Sequence, residues 1–211
     1  MQMEQTLSMN KSFGDATTGK LGMWLFLVMD ALTFGAILIG GIALRAASDG
    51  WPVAGTILNI PLTAFNTFLL ICTSFTMVMA LQGLREGSQK RFIRYLQFTI
   101  IGGMVFLGIQ IYEYYHFISG SSKLGLALAS GGFISNQFLP STGMYGAVFY
   151  TTTSFHGLHV LSGVIYLSVI MFQGMKGMYS AENYDRVEIA ALFWHFVDLI
   201  WILVFTIIYL L

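Results

Sequence analysis

Trp194-His195-Phe196-Val197-Asp198-Leu199-Ile200-Trp201 lies within the apolar run Val187–Leu211 that closes the chain. A hydrocarbon core of roughly 30 Å needs about 20 apolar residues in helical form, and this run supplies them. An imidazole and a carboxylate therefore sit at membrane depth, where a charged group costs roughly 2.5–3.5 kcal/mol to insert at a helix centre. A chain that carries them must bury them against protein. A second stretch, Phe155-His156-Gly157-Leu158-His159-Val160, poses the same problem within another apolar run.

Composition agrees with a polytopic membrane protein. Of 211 residues, 56% are hydrophobic and only 9% charged, with a mean hydropathy of +0.73. A soluble domain carries about a quarter of its residues charged. The formal net charge is zero, which gives no argument for a nucleic-acid partner. The single cysteine, Cys72, excludes an internal disulfide or a thiolate metal cluster. The first 20 residues are polar and lack the basic, apolar, small-residue order of a cleaved signal peptide. Insertion through the first apolar helix, uncleaved, is the expectation.

Five segments, about 21–44, 61–84, 92–118, 143–173 and 187–211, are long and apolar enough to span. The fold class is thus all-α: a polar segment 1–20 and a membrane domain 21–211 made of a bundle of five transmembrane helices. Between them lie Ser48-Asp49-Gly50-Trp51-Pro52, the charged turn Arg85–Arg91, a Gly/Ser-rich loop Ser119–Thr142 and the polar connector Met175–Arg186. Lys11, Lys20, Arg85, Lys90, Arg91, Arg94, Lys176 and Arg186 fall on one side; only Arg45 and Lys123 fall on the other. The positive-inside rule then predicts a cytoplasmic N-terminus and an outside C-terminus.

Glu188, Ala191, His195 and Asp198 share one helical face, with Trp194 and Trp201 in a neighbouring stripe. His156, His159 and Gly163 share a face on the preceding span, after the hydroxyl run Thr151-Thr152-Thr153-Ser154. Such faces meet a partner, or they hold the bundle together by interhelical hydrogen bonds worth about 0.6 kcal/mol each. Asp30 is a second anomaly, nine residues into the first span. An intramembrane carboxylate is a candidate for proton handling, or for a hydrogen bond to a neighbouring helix. Glu113, in Tyr112-Glu113-Tyr114-Tyr115, reads as a snorkelling acid within an interfacial aromatic belt. Asn66, Thr67, Thr73, Ser74 and Met77 form a mildly polar packing face.

Two other functional classes stay open at this point. A small proton or ion channel would use Asp30, Glu113 and Asp198, although these lie at different depths. A dihaem anchor would use His156, His159 or His195 as axial ligands. No carboxylate follows the histidines in a zinc arrangement, so no metal site is expected in this chain.

In order along the chain, Gly22–Phe34 with its buried carboxylate, Leu62–Thr67, Gln110–Tyr115, Phe155–Val160, Glu188, Trp194–Asp198 and Trp201 closely resemble subunit III of the haem-copper oxidases, the cytochrome c and quinol oxidases. The resemblance implies a non-catalytic core subunit of a proton-pumping complex that reduces dioxygen to water in a bacterial plasma membrane. It implies haems and copper in subunit I, which this chain would contact directly, with subunits II and IV as further partners. It also implies phospholipid binding, protection of subunit I during turnover and support of proton uptake. By position, Asp30 replaces the family's buried glutamate, while His156, His159, Glu188, His195, Asp198 and Trp201 match identically. Gln173 stands where mitochondrial forms carry an arginine near lipid phosphate, and Lys176, one turn on, is the remaining headgroup candidate. The mitochondrial form has seven helices; this chain has five, as do many bacterial members.

Overall fold

Glu86, Gly87 and Ser88 show how tightly the chain reverses at the membrane surface. Gly87 adopts φ 73°, in the left-handed region that glycine tolerates. This lets Gly87 N–H reach the Leu84 carbonyl at 3.0 Å and Ser88 N–H reach that of Gly83 at 2.8 Å. Two long helices are thereby folded back on each other. Gly177, at φ 75°, ends a later helix in a similar way, its N–H donating to the Gly174 carbonyl at 2.8 Å.

A computed structural model describes residues 18–48, 51–120, 122–130 and 135–211. The elements in order are α1 (Thr18–Ala47), α2 (Ala54–Ile57), α3 (Ile60–Arg85), α4 (Gln89–Ser119), α5 (Ser122–Ser130), α6 (Met144–Met175) and α7 (Asp185–Val204), which runs on as a π-helix over Phe205–Leu210. Lys11 and the rest of residues 1–17, Asp49, Gly50 and the side chain of Lys123 lie outside what is described.

Five of the helices, α1, α3, α4, α6 and α7 with its π extension, are long and apolar enough to cross a membrane. Their most apolar stretches have mean hydropathies between 1.6 and 2.2. Asn59 starts α3: its Oδ1 accepts from Leu62 N–H at 3.3 Å, and Pro61 occupies the first turn, where its missing N–H costs nothing. The connections between α1 and α3 and between α4 and α6 each contain a short helix that was not anticipated. The Leu124–Ala129 stretch is rich in helix-forming Leu and Ala, and α5 packs against α2 with Leu124 and Leu128 buried.

α3 and α4 form the central hairpin; α6 packs on α4, and α7 fits between α3, α6 and α1. α7 is the best-enclosed span, burying Trp194, Val197, Trp201 and Val204 almost completely. Close approach depends on glycine at the crossing points. A Cβ added at Gly103 would fall 2.7 Å from Trp194 Cη2 and 2.8 Å from Val164 Cγ2, and one at Gly163 would fall 3.0 Å from the same indole. α1 is the outermost span. It buries only the stripe Leu27, Asp30, Phe34, Leu38 and Gly41, while Met29 and Leu32 are each 70% exposed. Apolar exposure on that scale is the surface of a chain surrounded by lipid or by other membrane subunits. α1 and α7 run in the same direction, since their first turns meet through Lys20 and Glu188 at 2.8 Å.

Candidate functional site

The side chains singled out above are distributed over the seams between helices. On the α3–α7 seam, Trp194 Nε1 donates to Thr73 Oγ1 at 3.1 Å and Trp201 Nε1 donates to Thr67 Oγ1 at 2.9 Å. Each threonine gives its own proton to its helix backbone, Thr73 to the Leu70 carbonyl and Thr67 to that of Thr63. Its oxygen lone pairs are thus free to accept an indole. Ser74 Oγ and His195 Nδ1 extend the seam with a hydrogen bond of 2.6 Å. Asp198, one turn beyond His195, is 5% exposed; Ser74 is the polar side chain that interacts with it, without a well-formed hydrogen bond to either carboxyl oxygen.

Glu113 departs from the aromatic-belt reading. It is buried at 7% exposure, and its carboxyl joins three helices: Tyr209 OH donates to Oε2 at 2.9 Å and Thr63 Oγ1 to Oε1 at 3.4 Å. Tyr112 and Tyr115 do face outward as a belt, at 61% and 70% exposure. Tyr114 turns inward and shares a 2.6 Å hydrogen bond with Thr153 Oγ1 on α6. Gln110, one turn before it, donates to the Thr153 carbonyl at 2.7 Å. The difference has a simple cause. Neighbouring residues on a helix diverge by about 100°, so Tyr112 and Tyr115, three apart, share the outward face while Glu113 and Tyr114 between them turn inward.

The two histidines of α6 take unrelated roles. His156 is fully buried in an aromatic box, with its ring 4.8 Å from that of Trp201, 5.8 Å from Phe106 and 6.3 Å from Phe34. Neither ring nitrogen has a hydrogen-bond partner among the described residues. His159 turns to α1, where its Nε2 lies 3.3 Å from Asp30 Oδ1 while Nδ1 lies 2.8 Å from the Phe155 carbonyl.

The remaining residues lie at the charged end of the bundle. Glu188 binds Lys20 at 2.8 Å and Arg85 at 3.6 Å, which ties the first turns of α1 and α7 to the last turn of α3. Arg85 also lies over the Tyr184 ring, 5.0 Å from its centre. Gln173 accepts a hydrogen bond from Tyr179 OH through Oε1. Burial pushes the Tyr179 phenol up, against the opposing effect of Arg186, so it stays a neutral donor. Lys176 is exposed, its ammonium 4.4 Å from the centre of the Phe172 ring.

Among the described residues, no three His, Cys, Asp or Glu side chains converge. His156, His159 and His195 point to an aromatic box, to α1 and to α3 respectively. A metal at His156 would meet ring carbon where further ligands are needed. Thr63 and Tyr209 are not singled out in the sequence; Thr67 and Thr73 read there as part of a packing face, and the structure adds that they accept the two indole N–H groups.

The fold and these seams define a polytopic helical membrane protein whose interior polar groups mostly join one helix to the next. The whole chain, residues 1–211, matches the family described as cytochrome c oxidase subunit III, and it belongs to that family. It is 31% identical over 192 residues to cytochrome c oxidase subunit 3 of Thermostichus vulcanus, a match covering 90% of this chain and 86% of the relative. It is 31% identical over 189 residues to cytochrome bo(3) ubiquinol oxidase subunit 3 of Pseudomonas aeruginosa, covering 90% and 83%. For cytochrome c oxidase subunit 3 of Bacillus subtilis the identity is 30% over 190 residues, covering 90% and 84%.

Proposed function

We propose that this chain, a subunit III of the haem-copper oxidases, is a non-catalytic scaffold of the complex. It packs directly against subunit I, which carries the haems and copper, with subunits II and IV completing the assembly in a bacterial plasma membrane. The observation that carries this reading is the use made of the interior polar groups. Glu113, the Trp–Thr pairs and the Asp30–His159 pair each connect two or three helices of this chain and gather around no common centre. Relatives named for cytochrome c and for ubiquinol match with similar identity, which suits a subunit remote from electron entry.

The gathering of Lys20, Arg85, Arg91 and Arg186 at one end, with Arg45 at the other, supports a cytoplasmic N-terminus. At that cytoplasmic end Lys176 offers an exposed point charge to a lipid phosphate. Asp30 and His159 hold a proton between them, and through it the subunit supports proton uptake by the complex. The test is a deletion strain with the remaining complex purified. Haem absorbance is expected to be intact and the number of turnovers before inactivation to fall several-fold. An unchanged lifetime with unchanged assembly would falsify the scaffold role.

A further inference from the structure

A cavity of about 320 Å³ opens at the end of the bundle where α3 begins and α4 finishes. Asn59 and His116, both exposed, stand at its mouth. Leu58, Phe117 and Glu113, all buried, make its floor. Glu113 comes six residues before Ser119, the last of α4, so it lies only about 9 Å below the helix end. A water molecule takes up about 30 Å³ in the liquid, so the cavity has room for several. The Asn59 amide and the His116 imidazole offer them hydrogen bonds at the mouth, and the Glu113 carboxyl does so at the floor.

Behind the carboxyl the way is shut by Tyr209 and Thr63, buried at 1% and 3% exposure. Tyr209 OH holds Oε2 at 2.9 Å. Oε1 is less well served: Thr63 Oγ1 lies 3.4 Å away and shares its one proton with the Asn59 carbonyl at 3.2 Å, which leaves lone pairs for a further donor. Tyr145 and Tyr150 on α6 are within electrostatic reach of Glu113, and Tyr145 also feels Arg45 at the end of α1. Among the described residues no Lys, Arg or His makes an ion pair with Glu113. With no fixed cation among them, gain or loss of a proton sets the charge of this acid. Asp198 stands in a different position, near mid-helix, about 18–20 Å from either end of α7 and its π extension, and it does not line the cavity. We propose that Glu113 is a proton-exchange site for the aqueous phase at the C-terminal end of the bundle, reached through this cavity. A water at the floor takes the proton of the neutral carboxyl and passes it outward as hydronium, and the carboxylate that remains keeps the Tyr209 hydroxyl bond. Uptake is the reverse. The site is separate from the scaffold role and from the Asp30–His159 pair, and it is the same whichever side of the membrane this end faces.

The test is infrared spectroscopy of the purified complex in lipid nanodiscs, recorded against pH and after transfer to D2O. The carboxylic C=O band lost in Glu113→Gln belongs to Glu113, and the one lost in Asp198→Asn is the enclosed reference. The Glu113 band is expected to grow as pH falls and to shift in D2O at least about a hundredfold sooner than the reference. Leu62→Trp narrows the cavity from its half-buried wall and is expected to slow the Glu113 shift at least about tenfold, with the reference unchanged. His116→Leu changes an exposed side chain and removes a hydrogen-bonding group from the mouth. It is expected to slow the shift by a smaller factor, and it carries the test if the tryptophan variant does not assemble. A Glu113 band that shifts no sooner than the reference, that neither variant slows, or that does not change with pH would overturn the proposal.

Discussion

A neutral imidazole has one proton for two nitrogens, and the surroundings of His159 decide where it goes. Nδ1 faces the Phe155 carbonyl at 2.8 Å and must donate, so Nε2 is left as an acceptor opposite Asp30 Oδ1 at 3.3 Å. The Asp30 contact needs a proton from one side, so the pair is either acid with imidazole or carboxylate with imidazolium. Both have zero net charge, which is what makes burial between α1 and α6 tolerable. Asp30→Asn supplies an amide N–H in the same place and is expected to cost less than about 1 kcal/mol. His159→Phe strands the acid and is expected to cost about 3–5 kcal/mol if the pair is ionic. Thermal release of the chain from the purified complex measures both. Glu113 gives a parallel case. Tyr209→Phe removes the better of its two donors and should destabilise by about 1–3 kcal/mol. Combined with Glu113→Gln, the loss should fall short of the sum of the single changes, because the two groups serve one hydrogen bond.

At the scale of helices, the glycine crossings carry the sharpest expectation. Gly103→Ala pushes a methyl group into the Trp194 ring and Val164, so α4 must move away from α6 and α7, at a cost of about 1–3 kcal/mol. Gly108 has nothing near its Cβ position, and Gly108→Ala should leave thermal stability unchanged or slightly raised. The five spans were legible in the sequence because lipid demands long apolar runs, and few other solvents impose so plain a pattern. Asp30, Asp198 and the histidines were legible because they are costly there, whereas the burial of Glu113 was masked by its tyrosine neighbours. Their partners were legible only in part, Thr67, Thr73 and Ser74 as a packing face and not as the hydrogen-bond partners they are. A threonine in an apolar helix looks the same whether it receives an indole or merely fills space, and only the rotation of α3 toward α7 makes Thr67 and Thr73 acceptors. Tyr209 was hidden for a further reason. It lies in the π-helical turn Phe205–Leu210, whose wider spiral changes the direction of each side chain relative to an α-helical count.

For the molecule as a whole, the two ends of the bundle are held by different forces. At one end Lys20, Arg85, Asp185 and Glu188 make an ionic knot across α1, α3 and α7. At the other, Glu113, Tyr209, Tyr114 and Thr153 bond beneath a layer of aromatic rings that includes Phe138, Phe149 and Tyr150. Glu188→Gln should lower the melting temperature of the complex slightly at low salt, with the difference shrinking as salt is added, because the knot is partly exposed and open to screening. Among the described residues the solvent-exposed ion pairs lie at one end of the bundle, and that is where dissolved ions act on them. Raising ionic strength should splay the first turns of α1 and α7, visible as faster amide exchange there, while the tyrosine-rich end stays closed. The subunit would open like a folding fan held at its rivet, with α1 as the outer blade.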